Sequence, residues 1–371
     1  MSRTLRRWTL CCAATVIAIV PLAAHHVIGA KFDPAKTLTL RGAVTEIDWA
    51  NPHAHLFINV AEPGGAPANW AIELESTVDL RRQGWTRDAV VIGDVVTVEG
   101  IAARDGSKQA WSLSMTLART GQRVFFPRPV APPVATHKPT PRWPDNQPRL
   151  GATPGDTGYW ASPSATTMAE RGTTVQADAN GLLTNAADAP RMAPFQDWAR
   201  DLFVYRQRNF LKDDPMFVNC LPPGGPRMFQ NRYGFQFLED RDRRRVFVMM
   251  GGGNRNWRLI YTDGREQKGQ VEGDADNPLY FGRAVGRWEG EALVVDTKGF
   301  NERFWFANGG LPHTQQLHLV ERFSRPDFDT LRYDVTIDDP GAYTRTWSAG
   351  WTLSWVPGED MPEYFCQDNR P

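Results

Sequence analysis

Residues 346–355 read Thr-Trp-Ser-Ala-Gly-Trp-Thr-Leu-Ser-Trp, and this stretch decides the fold. Side chains along a β-strand alternate between two faces, so Trp347, Trp351 and Trp355 fall on one face and smaller polar residues on the other. Such an indole-lined face is typical of an aromatic core or of a wall that contacts a ligand. We expect these tryptophans, with Trp305 from an aromatic loop, to line a binding site for a small apolar or aromatic molecule.

Seven earlier segments of the second half also read as strands. They show alternation or β-branched enrichment, and short turns such as Asp263-Gly264 and Glu289-Gly290 separate them. Together they predict an all-β domain over residues 193–371, either a lipocalin-like antiparallel barrel or a β-sandwich, because alternation assigns faces without showing closure. The predicted strands are 235–238, 245–250, 257–262, 283–288, 292–297, 316–323, 331–337 and 346–355.

The first half contains a smaller set of strands. Residues 76–88, between the third and fourth of them, have helical spacing, which suits the helix that lies there in an OB-like barrel. We predict a small OB-like β-barrel domain over residues 25–125, which would contact a metal, a glycan or a protein partner. Its predicted strands are 37–49, 55–61, 69–75, 94–102 and 110–117.

A proline-rich stretch separates the two halves. Residues 127–154 are rich in proline and show little apolar periodicity, and residues 173–190 are poor in large apolar side chains. This composition favours an extended, polyproline-II-like connection. We therefore predict a linker and irregular segment over residues 126–192, followed by a helix at 193–210.

The first thirty residues have the pattern of an export signal. Arg3, Arg6 and Arg7 precede an apolar run, residues 10–22, that is too short to span a bilayer comfortably. We predict a signal peptide over residues 1–24. The mature chain would then be periplasmic or secreted, with no membrane span.

Charge and cysteine content narrow the function classes. The chain has 371 residues, with 42 Lys plus Arg and 42 Asp plus Glu, and no basic stripe of the kind that follows nucleic acid. We expect no nucleic-acid partner. Cys11 and Cys12 would leave with the signal, so Cys220 and Cys366 predict a disulfide, the alternative being two unlinked buried thiols.

Cleavage after Ala24 would make His25 the amino terminus. Its α-amine and imidazole, with His26 or His53 as a third donor, form a set that suits copper as a cofactor. Cleavage after Ala23 would instead make His26 the third residue of a flexible copper-chelating tripeptide. The alternative is a solvated His-His terminus, with His53 capping a strand.

Three residues of the second half form a candidate acid-base set. Glu321 shares a strand face with leucines, so a core-facing orientation would bury its carboxylate. His313 and Asp296 would complete a proton-transferring set in an aromatic cavity, as a cofactor-independent isomerase, cyclase or lyase needs. A structural salt bridge is the other interpretation, and the candidate partners of Glu321 are then Arg303, Arg332 and Arg345.

The chain resembles a family of uncharacterised exported bacterial proteins. In the first half the resemblance rests on His25-His26, on the Asn-Pro-His-Ala motif at 51–54 and on Gly-Trp-Thr-Arg-Asp at 84–88. In the second half it rests on Val-Gly-Arg-Trp-Glu-Gly at 285–290, on Pro312-His313-Thr314 and on Glu321-Arg322-Phe323. The resemblance implies this two-domain β architecture and no particular activity.

Three functions therefore stand as hypotheses. The first is an exported, non-catalytic protein that binds a small-molecule ligand in its C-terminal domain. The alternatives are a copper-binding protein that uses His25 and an isomerase, cyclase or lyase that uses Glu321. Whether the protein is an enzyme stays open at this point.

Overall fold

The structure is a computed structural model that describes residues 31–62, 64–129, 136, 138–161, 168–177, 181–252, 256–268 and 278–366. Strands dominate these residues and form a six-stranded sheet and a closed nine-stranded barrel. The predicted all-β class is confirmed. The predicted signal peptide, with Cys11 and Cys12, lies outside the described residues, and so do His25 and His26.

Six strands form the N-terminal sheet: β1 (Phe32–Asp48), β2 (His55–Val60), β3 (Ala68–Glu73), β4 (Val95–Ala103), β5 (Gln109–Leu117) and β6 (Arg123–Val124). Their order is β3-β2-β1-β4-β5-β6, and a parallel pairing of β3 with β5 closes the first five into a ring. Leu56 and Ile58 of β2 and Val96 and Val98 of β4 are fully buried at alternate positions, as a ring with one apolar face requires. This is the predicted OB-like barrel.

The helix between β3 and β4 is shorter than predicted. Helix α1 spans Thr77–Arg82, and the Ser76 hydroxyl caps it by accepting the backbone N–H of Asp79 at 3.0 Å. Gly84 follows with φ +80°, a left-handed conformation that glycine adopts without steric cost and that ends helices. The remaining residues of the predicted helix therefore form a turn and a short 3₁₀ segment.

Nine strands form the C-terminal barrel: β7 (Gly158–Ala161), β8 (Phe235–Asp240), β9 (Arg245–Met250), β10 (Trp257–Tyr261), β11 (Arg283–Glu289), β12 (Ala292–Lys298), β13 (His318–Ser324), β14 (Thr330–Asp338) and β15 (Trp347–Pro357). Their order around the barrel is β10-β11-β12-β13-β14-β15-β7-β8-β9, and it closes. Of the two predicted architectures the barrel is correct, and the sandwich is wrong. The predicted antiparallel pairing needs one correction, because β10 and β11 run parallel.

Strand β7 comes from the predicted linker 126–192, so that prediction needs correction. All four residues of β7 are buried, and the strand pairs with β15 and β8. Upstream, the Trp143 indole donates to the Glu239 carboxylate at 3.1 Å, and Leu150 is fully buried. Isolated apolar anchors of this kind hold a proline-rich chain on a barrel without any periodicity that a sequence pattern reveals.

The centre of the barrel is occupied by a 3₁₀ segment, Gly225–Gln230, whose six residues are all buried. The Phe229 ring lies 4.9 Å from that of Phe235, 5.1 Å from that of Phe323 and 4.8 Å from that of Tyr333, measured between centroids. These partners come from β8, β13 and β14. Side chains from the wall and from this segment therefore pack together inside the barrel.

Two helices precede that segment. Helix α2 spans Asp197–Asp213, against the predicted 193–210, and buries Phe203 and Ala199 against the barrel. Helix α3 spans Pro215–Asn219, and the Asp214 carboxylate caps it by accepting the backbone N–H of Met216 at 2.9 Å. No helix in the described part of the chain is long and apolar enough to cross a membrane.

The two domains meet in a small packed cluster that contains the disulfide. Cys220 and Cys366 are bonded, which confirms the predicted pair. The Tyr364 ring lies 4.5 Å from that of Tyr233, and both rings pack with Val78 of α1.

Polar contacts join the domains around this cluster. Arg232 and Asp79 form an ion pair of 2.7 Å, and the Asn51 side chain donates to the Glu363 carbonyl at 2.8 Å. The segment 358–366 that follows β15 is thus held between the domains.

Candidate functional site

One seam of the barrel is only partly paired. Strands β10 and β11 run parallel, and residues 260–261 pair with residues 284–285. By comparison, β11 and β12 pair along seven positions. Parallel neighbours need a crossover connection, and its described parts here, residues 262–268 and 278–282, lie beside the seam. A cleft of about 1210 Å³ opens between β10 and this connection.

Aromatic and apolar side chains wall this seam cleft. Trp257 and Leu279 are 53% and 37% exposed, so the cleft is open to solvent. The outward face of β10 supplies one wall, and residues 279–281 supply the other. The large apolar and aromatic lining residues are Trp257, Leu259, Tyr261, Leu279, Tyr280 and Phe281.

Polar contacts fix the near part of the connection on the barrel. The Gln267 amide donates to the carbonyl oxygens of Arg283 and Asp296, each at 2.7 Å. The Arg265 guanidinium pairs with Asp263 and stacks 3.6 Å from the centre of the Tyr261 ring. The cleft wall on this side is therefore supported by the barrel before any ligand binds.

Two residues of the cleft lining each carry one buried polar atom without a hydrogen-bond partner among the described residues. The Tyr280 hydroxyl is buried and unpaired, and so is Nε of Arg258. Arg258 is 2% exposed, and its side chain points through the barrel wall toward the interior. Most buried polar groups in proteins are hydrogen-bonded. The unpaired Arg258 nitrogen lies on the inner side of the barrel wall, so it is not part of the cleft surface.

The other nitrogens of Arg258 hold the Glu321 carboxylate inside the barrel. Arg258 NH1 lies 3.0 Å from Glu321 Oε1, and its NH2 lies 2.6 Å from Thr297 Oγ1 and also contacts Glu321 Oε2. Burial lowers the pKa of Arg258, but the charge and hydrogen bonds of Glu321 outweigh it and raise the pKa overall. The Tyr333 hydroxyl also donates to Glu321 at 3.0 Å. Burial is the main cause that raises the pKa of Tyr333, and the negative charge of Glu321 is the second.

Glu321 is thus a core-facing carboxylate, as its strand face predicts, and it is saturated with partners. The sequence named the wrong arginines for it. Arg332 pairs with Asp334, Arg345 pairs with Glu170, and Arg303 lies over the Tyr280 ring.

The structure does not assemble the predicted acid-base set. Asp296 lies opposite Val320 on the outer face of the barrel and pairs with His318, Oδ1 to Nε2, at 3.0 Å. His313 is buried, with its ring nitrogens 3.2 Å from the carbonyl oxygens of Thr314 and Phe304. Burial lowers the pKa of His313 to about 4, so its ring is neutral at pH 7. Catalysis by this set stays a prediction that the geometry does not favour.

The four tryptophans predicted to bind a ligand pack against the protein itself. Trp305, Trp347 and Trp355 are buried, and Trp351 is half-buried with its indole N–H donating to the Phe229 carbonyl at 3.3 Å. None of the four is among the described residues that line the seam cleft. Their role in ligand binding stays a prediction, and their contacts are those of core residues.

A second polar cluster lies in the N-terminal domain around Glu73 of β3. His53 Nδ1 lies 2.6 Å from Glu73 Oε1, His55 Nε2 lies 3.6 Å from Oε2, and Lys31 Nζ lies 2.9 Å from Oε2. Burial raises the pKa of Glu73, but hydrogen bonds to the two histidines and the charges of His53 and Lys31 lower it well below its usual range. Glu73 therefore remains ionised because Lys31 and the two imidazole side chains surround its carboxylate.

These described residues do not form a metal site by themselves. In the described ranges, no group of three or more His, Cys, Asp or Glu side chains is placed to hold a metal ion. Of the predicted ligands, His53 is described, and its Nδ1 is taken by Glu73. A metal at His53 would need donors from residues outside the described ranges.

Comparison with known proteins is consistent with an uncharacterised family. Residues 13–112 match a family of unknown function, DUF6152, and this match covers the N-terminal domain as far as Ser112 of β5. The comparisons with curated proteins and with solved structures gave no match. The fold and the seam cleft must therefore supply the functional argument.

Sequence reasoning missed the seam cleft, although one signal for it is present. In β10, Trp257, Leu259 and Tyr261 lie on the face opposite Arg258 and Ile260. An arginine on the inward face, with large apolar side chains outward, is the reverse of the usual alternation of a barrel strand. That inversion points to a buried polar network inside and a covered or ligand-binding surface outside.

Proposed function

We propose that the protein is an exported binding protein whose C-terminal barrel takes a small, largely apolar or aromatic molecule in the seam cleft. One observation carries this proposal: a cleft of about 1210 Å³ with aromatic and apolar walls, whose lining also includes polar side chains such as Gln267 and Lys268. Pockets for small molecules combine apolar walls with a few polar groups in this way. The disulfide supports export, because such bonds persist in oxidising compartments.

The site differs from the one that the tryptophan-rich last strand predicts. Side chains and the Gly225–Gln230 segment occupy the barrel centre, so the cleft in the wall is the better place for a ligand. A naphthyl-sized molecule that buries about 200 Å² there gains about 5 kcal/mol of apolar transfer free energy, at about 25 cal/mol per Å². The loss of translational and rotational freedom offsets part of this gain.

A neutral fluorescent probe, N-phenyl-1-naphthylamine, tests this proposal. We expect saturable binding at one site, and we expect Leu279→Glu to weaken it at least tenfold, because a carboxylate in an apolar wall must be desolvated. Leu279 is 37% exposed, so the substitution leaves the fold intact. Fluorescence titration gives the dissociation constants.

The matched control is Leu113→Glu, at a 43% exposed leucine of the N-terminal domain that does not line the cleft. This variant should bind the probe as the unmodified protein does. Absence of binding to the unmodified protein, or equal binding by Leu279→Glu, would contradict the proposal.

We propose copper binding through His53 as a second function, on one specific observation. An ionised Glu73 carboxylate accepts a hydrogen from His53 Nδ1, so the lone pair of the neutral imidazole form is on Nε2, and carboxylates orient metal-binding histidines in this way. Lys31, six residues after His25, contacts Glu73. Six residues of extended chain span about 20 Å at most, so this distance limits how far His25 can lie from the cluster. The α-amine and imidazole of His25 would complete a three-nitrogen copper site with His53.

Copper titration of protein secreted with its native signal tests this second function. We expect one Cu(II) ion per chain and a loss of at least tenfold in affinity for His53→Ala. The control His318→Ala removes a histidine of similar exposure from the outer face of the barrel. Equal affinity in His53→Ala, or an amino terminus other than His25 with no bound copper, would refute it.

A further inference from the structure

We propose that the ligand of the seam cleft is elongated, with a long hydrocarbon chain that lies along β10, in contrast to a compact ring system. This inference rests on the proposed ligand-binding function and names the chemical class of the ligand. It is drawn from the length of the cleft, from the order of the apolar side chains in its two walls and from its volume.

The cleft follows β10 over the whole length of the strand. Trp257 at the start of the strand, Leu259 in the middle and Tyr261 at the end all line it. At about 3.3 Å per residue, the distance from Trp257 to Tyr261 is about 13 Å, about the length of an extended ten-carbon chain. A compact two-ring molecule covers part of this wall and leaves the rest in water.

The opposite wall presents a second apolar strip. Leu279, Tyr280 and Phe281 follow one another in the chain, and all three line the cleft. The Leu279 N–H donates to the Gly299 carbonyl at 2.9 Å, and its own carbonyl accepts the Asn301 N–H at 2.9 Å, so the barrel holds this strip in place. Two apolar strips side by side form a groove, and a linear chain contacts both strips along its length.

Trp257 is held at one end of this groove by its neighbour on β9. The Trp257 ring lies 5.8 Å from the Phe247 ring, between centroids, in an edge-on arrangement, and the Arg245 guanidinium lies 5.1 Å from the centre of the Phe247 ring. Trp257 is nevertheless 53% exposed. A chain that reaches this end of the groove buries the remaining indole surface and gains transfer free energy that a shorter ligand lacks.

The volume of the cleft also favours a long ligand. Pockets for drug-sized molecules usually measure about 300 to 1,000 Å³. The seam cleft, at about 1210 Å³, is larger. A compact molecule in one part of the groove is the other explanation, and it predicts that extra chain length adds no affinity.

The test is displacement of bound N-phenyl-1-naphthylamine by straight-chain primary alcohols from 1-butanol to 1-decanol, each below its solubility limit. These compounds share one polar group and differ in chain length. We expect the dissociation constant to fall at least threefold with each two added carbons through 1-decanol, because every buried methylene strengthens binding. This series on the unmodified chain needs no variant to fold.

Trp257→Ser removes the apolar surface at one end of the groove. We expect it to weaken 1-decanol at least fivefold and 1-hexanol less than twofold, because the shorter chain has other parts of the groove to occupy. The matched control is Leu238→Ser. Leu238 is 59% exposed, lies opposite Phe247 on the same outward barrel face and is not among the described lining residues, so this variant should bind every alcohol as the unmodified protein does.

The outcomes separate this inference from the proposed function. A dissociation constant that stops falling at 1-hexanol or earlier overturns the inference and leaves ligand binding in place. An equal effect of folded Trp257→Ser on 1-hexanol and 1-decanol overturns the placement of the chain along β10. Failure of the unmodified protein to bind the probe removes the proposed function and the inference with it.

Discussion

Replacing Glu321 by leucine is expected to lower the free energy of unfolding by about 3 to 5 kcal/mol, because the change leaves Arg258 charged and unpaired inside the barrel. Both side chains are at most 2% exposed, so water cannot solvate the orphaned guanidinium in the folded state. Urea denaturation measures the loss. This loss of stability is larger than the transfer free energy that the leucine side chain gains by being buried in the same space.

Two matched variants sharpen this prediction. The double variant Arg258→Met with Glu321→Leu removes both charges. We expect its free energy of unfolding to lie within about 2 kcal/mol of that of the unmodified protein. Asp296→Asn breaks the half-buried pair with His318 on the outer face of the neighbouring strand and should lower the free energy of unfolding by about 1 kcal/mol or less. A loss below 1 kcal/mol for Glu321→Leu would show that the buried pair does not stabilise the barrel as argued.

Removal of the disulfide by Cys220→Ala with Cys366→Ala should lower the free energy of unfolding by about 3 to 5 kcal/mol. The bond joins residues 146 positions apart, and closure of so long a loop removes much conformational freedom from the unfolded chain. It also holds the segment 358–366 between the domains, where Tyr364 packs on Tyr233. We expect this segment to become sensitive to limited proteolysis in the variant.

Reduction supplies the control for this second prediction. A reductant should destabilise the unmodified protein by the same amount and leave the double alanine variant unchanged. Equal stability of the oxidised protein and the variant would mean that packing at the domain junction, and not the covalent link, holds the segment.

Local patterns in the sequence were enough to predict most of the strands and their faces. Alternation placed Glu321 in the barrel, since its face is shared with Leu319 and Phe323. Alternation says nothing about which side chain lies across the barrel, so the partner Arg258, 63 residues away, could not be found in this way. The three candidate arginines lie close to Glu321 in the sequence, whereas its actual partner, Arg258, is distant in the sequence and close in space.

Other features depend on strand pairing, which no single stretch encodes. Strand β7 has four residues in a proline- and glycine-rich context, too few for a periodic signal. The seam cleft arises because β10 and β11 pair in parallel over two positions, a property of the register and the crossover. The spacing of the tryptophans of β15 correctly predicted which face of the strand is buried. Burial alone, however, does not distinguish a face that packs in the core from a face that binds a ligand.

A crystal structure of the protein with N-phenyl-1-naphthylamine tests the central claim, ligand binding in the seam cleft, most directly. We expect the naphthyl ring to lie in the cleft between β10 and residues 279–281, in contact with Tyr261 and Phe281. A probe bound inside the barrel beside Trp347 or Trp355, with the seam cleft empty, would contradict it.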